Sequence, residues 1–295
     1  MEVRPRWYRL ALLLAVLTGA PTVRAQDPAD VPPATNQSAA ITTGLEQRRP
    51  FWRGSGRTRP FFAATLDGGA LYLRPTAHFG YGRPHFEWVG AELGTGLSLG
   101  GLTAYAGLRG VFPYLDLSVG ARYEAPRNQA FLPRQPSFLR EELELTTLPQ
   151  SRYVVGQVEG ASAIPFPGGN LLLVASGYYL SNVPDDFLLW EQSLRVVSDA
   201  PWMWRGRLGY LYHVGWLGTL RVGATAEFIH LVGRGEVVVR TGPALSVSLT
   251  HHLEAHAAAL LVVSSPDALG LRGADLGRLG LSYRWALGDR WAEFP

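Results

Sequence analysis

Leu217-Gly218-Thr219-Leu220-Arg221-Val222-Gly223-Ala224-Thr225-Ala226-Glu227-Phe228-Ile229-His230 is the stretch that decides the fold. Leu220, Val222, Ala224, Ala226 and Phe228 share one side of an extended chain; Thr219, Arg221, Gly223, Thr225 and Glu227 share the other, because successive strand side chains alternate faces. The stretch from Tyr114 to Tyr123 repeats the pattern, with Leu115, Leu117, Val119, Ala121 and Tyr123 opposite Asp116, Ser118, Gly120 and Arg122. After His252 it returns, with Leu253, Ala255, Ala257, Ala259, Leu261 and Val263 against Glu254 and His256.

Outward from these segments, residues 60 to 286 divide into alternating runs separated by Gly, Pro, Asn and Asp. The runs are 60–66, 69–81, 85–98, 101–111, 113–124, 137–147, 152–164, 169–180, 186–198, 202–214, 217–230, 236–249, 252–264 and 273–286. That is fourteen strands; 186–198 alternates weakly, so twelve also satisfies the pattern, and an even number keeps both ends of a barrel on one side. The turns at Arg83-Pro84, Phe112-Pro113, Leu148-Pro149, 181–185, Gly215-Trp216 and Thr250-His251 then fall on the periplasmic side. Of the opposite turns, only 125–136 is long.

Three features separate a membrane barrel from a soluble sandwich. The strands exceed the five or six residues usual in soluble sheets and reach the roughly 9 to 11 that a tilted membrane strand needs. Gly and Ala lie on both faces, a poor basis for an interdigitated soluble core. Aromatic residues gather near strand ends, as in interfacial girdles: Phe61, Phe62, Tyr72, Phe79, Tyr81, Phe86, Trp88, Phe112, Tyr114, Tyr123, Tyr178, Tyr179, Trp202, Trp204, Tyr283 and Trp285. The 295-residue composition agrees: 47% of residues are hydrophobic and only 17% charged, while 34 Gly and 21 Pro argue against helical bundles.

The N-terminus has Arg4, Arg6 and Arg9, an apolar run from Leu10 to Leu17, and Val23-Arg24-Ala25 ahead of Gln26. This is the layout of a cleaved secretory signal over 1–25, the apolar run being too short for a membrane anchor. Residues 26–59 read as a polar, Pro-rich periplasmic tether, 60–286 as the barrel and 287–295 as a short tail. The chain has no Cys, which excludes disulfide staples, thiolate metal sites and lipidation at Cys. All 27 basic residues are Arg, scattered through strands and balanced to a net charge of +3. That distribution, behind an export signal, excludes a nucleic-acid-binding role.

The segment Leu276-Gly277-Arg278-Leu279-Gly280-Leu281-Ser282-Tyr283-Arg284-Trp285 resembles the C-terminal β-signal of bacterial outer-membrane β-barrel proteins. The resemblance covers the class as a whole. It implies an all-β, transmembrane antiparallel up-and-down β-barrel of about 12–14 strands in the cell outer membrane, with outer-membrane lipid and the barrel-assembly machinery as partners. The chain departs from that signal by continuing from Ala286 to Pro295.

With the apolar faces toward lipid, the lumen receives Glu92, Arg109, Asp116, Arg122, Arg140, Glu142, Glu144, Arg205, Arg207, His213, Arg221, Glu227, Glu254, His256, Arg278 and Arg284. Opposite charges on neighbouring strands pair, and an Arg- and carboxylate-lined, partly water-filled lumen suits a passive pore for small solutes or a structural barrel. His252, Glu254 and His256 have metal-ligand chemistry, but at alternate strand positions they stand about 6 to 7 Å apart, too far to share an ion without another strand. No metal or cofactor is expected. A barrel enzyme acting on lipid or lipopolysaccharide needs a nucleophile beside a base, for which Ser246 or Ser248 near His252 or His256 are the candidates. No nucleophile motif accompanies them, and no constellation demands catalysis. An exported soluble β-sandwich that binds a ligand is the remaining alternative.

Overall fold

The computed structural model describes residues 58–69, 72–98, 100–127, 130–144, 151–214, 220–250, 252–275 and 279–287. The expected signal sequence, nearly all of the expected tether, the tail beyond Leu287, Leu148-Pro149, Gly215-Trp216, His251 and Arg278 lie outside the described residues.

The first extended segments are β1 (Arg59–Gly69), β2 (Tyr72–Arg83), β3 (Glu87–Ser98), β4 (Gly101–Val111), β5 (Leu115–Pro126) and β6 (Phe131–Pro133). They are followed by β7 (Tyr153–Phe166), β8 (Gly169–Ser181), β9 (Phe187–Glu191), β10 (Val196–Ser198) and β11 (Trp202–His213). The last are β12 (Leu220–Leu231), β13 (Glu236–Ser248), β14 (Leu253–Ala258), β15 (Leu261–Ser264) and β16 (Gly280–Ala286). All but β6, β9 and β10 join one antiparallel sheet that closes where Ala63 on β1 meets Ala286 on β16. β15 continues β14 along β13, with Ala258 opposite Ala244 and Leu261 opposite Thr241, so the ring has twelve spans. Closure removes both sheet edges and pairs the backbone around the ring, which an apolar solvent requires.

Faces follow from the two-residue period. Leu108 is 62% exposed and Leu117, Val119, Val158, Leu208 and Val222 are also exposed on the outside, whereas Glu227 and Arg240 are each 1% exposed inside. This inverts the soluble pattern, and a continuous apolar exterior of this size is lipid-facing. Aromatic rings mark both rims. Phe62 packs on Phe79 at 5.0 Å near one, and Tyr179 on Trp202 at 4.9 Å near the other. Phe61, Tyr72, Trp88 and Tyr178 do not belong to these girdles. They sit at inward strand positions, and Phe61 and Trp88 join Ala63, Val111 and Ala286 in a small internal core.

Two expected strands, 137–147 and 186–198, are not spans. The first contains a 3₁₀ turn, Glu141–Glu144, and the second folds into β9 and β10. Each lost span reverses sides for the chain beyond it, so 181–185 lies opposite the Arg83-Pro84 turn, and 165–168 beside it. The expectation of a single long loop at the opposite end is replaced by three: 127–152, 182–201 and 265–279.

Those loops close part of that end. β9 pairs with both β10 and β6 in a separate three-stranded sheet. On one side Leu189, Leu194 and Val196 pack against Val155, Tyr178, Met203, Ile229 and Val238, inner residues of β7, β8, β11, β12 and β13. On the other, Leu188, Trp190 and Val197 pack against Leu132, Phe138, Leu143 and Leu269 from the flanking loops. Apolar residues on both faces explain why 186–198 lacks clear alternation: both sides are buried.

Candidate functional site

Register brings the interior charges together. On the β2–β4 wall, His78 and Glu92 are direct partners, and Glu92 accepts from Arg109 Nη1 at 3.1 Å. Arg109 also grips Asp116 with two hydrogen bonds of 2.9 and 2.7 Å, the bidentate geometry a planar guanidinium favours. His78 Nε2 lies 3.2 Å from Thr65 Oγ1, and its Nδ1 is 3.7 Å from the Glu92 carboxylate. Tyr105 lies against the β4–β5 wall, its hydroxyl so close to Gly107 and Gly120 that a Cβ at 120 would stand 2.8 Å from it. Glycine on the inner face makes that approach available.

Across the lumen, Arg207, Glu227 and Arg240 form a row of register partners on β11, β12 and β13. Glu227 accepts from Arg205 at 2.7 Å, Arg207 at 2.5 Å and Arg240 at 3.0 Å. Below them, Glu254 accepts from Ser246 at 2.6 Å and from Arg284 at 3.0 Å.

The β9–β10 hairpin is tied into this network. Glu191, fully buried at the end of β9, meets Arg122 of β5 at 2.5 Å, and Arg122 also holds Glu124 at 2.6 Å. Burial pushes the Glu191 carboxyl above its ordinary value; Arg122 opposes this, and the neighbouring Glu124 adds to it. Arg240 donates to the Arg195 carbonyl at 2.9 Å, and Arg195 donates to the Ala274 carbonyl at 2.7 Å. Outside the ring, Arg134 pairs with Asp199 and Arg234 with Asp267, each at 2.8 Å, and the Asp199 carboxylate raises the Arg134 guanidinium above its ordinary value.

The hairpin leans on the β7–β13 wall and leaves two adjoining cavities, one of about 320 Å³ beside β1–β5 and β7, the other of about 420 Å³ reaching from β1–β5 across to Arg205, Glu227 and Arg240. Asp67, Arg74, Gly96, Thr103 and Ser193 line both.

Of the residues expected in the lumen, Glu92, Arg109, Asp116, Arg122, Arg205, Arg207, His213, Arg221, Glu227, Glu254, His256 and Arg284 occupy inward positions on barrel strands. Arg140, Glu142 and Glu144 do not: they sit on the 127–152 loop. Glu142 there accepts from the Leu139 amide at 2.6 Å, which favours a turn over a strand. His252, Glu254 and His256 take separate partners: His252 stacks on Tyr283, Glu254 accepts from Ser246 and Arg284, and His256 lies 3.3 Å from the Tyr72 hydroxyl. Ser246 faces His256 in register, but its hydroxyl is engaged by Glu254. Sequence reasoning missed Asp67, Arg74, His78, Glu124, Glu159, Glu191 and Arg240. All but Glu191 sit on the inward parity of their strands, a signal present in the alternation.

An apolar ring exterior around a charged interior defines a transmembrane β-barrel of the outer-membrane type. No family model matches the sequence, and no curated protein matches it. Among solved structures, the β domain of the Bordetella autotransporter BrkA is similar at 13% identity and a TM-score of 0.33, covering 78% of this chain and 97% of that one. The translocator domain of the autotransporter NalP from Neisseria meningitidis is similar at 13% identity and a TM-score of 0.35, covering 84% of this chain and 96% of that one. Similarity at this level carries no statement about activity.

Proposed function

We propose that the chain is a bacterial outer-membrane protein, exported by the 1–25 signal and inserted by the barrel-assembly machinery, that works as a narrow pore for small polar solutes. The long-loop end, carrying the hairpin, faces outside, and the opposite rim, with both barrel ends, faces the periplasm, as is usual for such barrels. The observation that carries the reading is the pair of adjoining polar cavities beside the hairpin. Barrels of about eight strands are filled by side chains and those of 16 to 18 hold open channels. Twelve strands lie between, and here an inserted hairpin occupies the excess width.

Planar-bilayer recording of the folded protein tests this. Small, ohmic openings are expected, and excision of residues 187–198 enlarges them. Silence from both proteins, each shown to be folded by a shift on heating in a detergent gel, would leave a structural barrel as the function.

A further inference from the structure

Interior charges are bound to one another almost throughout: Glu92 to Arg109, Glu124 and Glu191 to Arg122, Glu227 to three arginines. Asp67 on β1 and Arg74 on β2 depart from this. They are register partners across the β1–β2 ladder, where opposite charges ordinarily join. Neither has an ion-pair partner within 4.0 Å among the described residues. The Arg74 guanidinium instead lies over the Tyr72 ring, 5.9 Å from its centre.

Space is kept open beside them. Gly94 and Gly96 take the inward positions of β3 next to Thr76 and Arg74, and a Cβ at 96 would stand 4.0 Å from Arg74 Nε. The floor is therefore bare backbone. Ser193 from the hairpin reaches both cavities. Basic and acidic side chains around the two cavities nearly balance, so the local field favours ions of neither sign. A cation without a carboxylate partner and a carboxylate without a cation partner among the described residues, side by side on a glycine floor, suit one solute that carries both charges.

We infer that Asp67 and Arg74 form a binding site for small zwitterions of the amino-acid type, the ammonium group on Asp67 and the carboxylate on Arg74. The inference rests on the reading of the lumen as water-filled. It explains why this register pair stays apart: each charge is held for a ligand group, and a pair facing water gains little by joining.

Saturation-transfer NMR on the protein folded in deuterated detergent, with glycine, acetate and methylammonium as probes, tests the site. Glycine is expected to bind about tenfold more tightly than either singly charged probe, the difference that one further charge-assisted hydrogen bond supplies. Asp67→Asn lowers glycine to the level of acetate, Arg74→Gln lowers it to that of methylammonium, and exchanging the two residues restores it. Gly96→Leu, which fills the floor and removes neither charge, also abolishes binding, so the test stands even where one charge variant fails to fold. Equal binding of the three probes, or glycine binding untouched by these substitutions, overturns the inference. Conductance decides the pore separately: glycine binding to a silent barrel keeps the site and removes the pore, and conductance without glycine binding does the reverse.

Discussion

Arg122 carries two buried carboxylates, and removing different members of the trio has unequal consequences. Arg122→Gln strands Glu124 and Glu191 without their cation and should cost about 3 to 5 kcal/mol, read as the loss of stability in urea titrations of the folded barrel. Glu191→Gln leaves Arg122 paired with Glu124 and should change stability by less than about 1 kcal/mol. The same carboxyl sets a pH response. Its pKa is raised in the docked hairpin above the ordinary 4.5, so docking binds a proton more readily than the released state does. Docking therefore tightens as pH falls from neutral through that raised value, levels off below the ordinary one, and weakens again as pH rises. Amide protection over 187–198, taken relative to the intrinsic exchange rate at each pH, should rise on acidification in the wild type and stay flat in Glu191→Gln. Protection that falls at lower pH would contradict the assignment.

At the scale of the strand, Ser118 and Val119 are chain neighbours on opposite faces of β5: Ser118 lines a cavity and Val119 is 53% exposed to lipid. Val119→Arg should lower stability by about 2 to 4 kcal/mol near the membrane midplane, whereas Ser118→Arg costs little, as refolding into lipid vesicles would measure. Equal costs would remove the inside–outside assignment. The spans were legible because each has one face in lipid and one in the lumen, and alternation records that difference residue by residue. The hairpin was illegible for the converse reason. Leu188 and Leu189, Val196 and Val197 are buried on opposite sides, so no contrast between faces is left to read. Glu142-Leu143-Glu144 misled in another way, its alternation belonging to a turn with Leu143 buried beneath it. The candidate site divides similarly. Arg207, Glu227 and Arg240 announce themselves by parity, but their convergence depends on register between strands, which one sequence does not state.

For the whole molecule, one even-numbered ring puts both barrel ends at one rim and all three long loops at the other, beside the short turns that follow β1, β3 and β12. The hairpin draws on distant parts of that ring: Arg122 in β5, the inner wall from β7 to β13, and Ala274 in the last long loop. Its partners thus span more than half of the barrel sequence, and one lies just ahead of the strand that shuts the ring. The full set of its contacts exists only once residue 274 is in place, so the hairpin is expected to lock after most of the ring has formed.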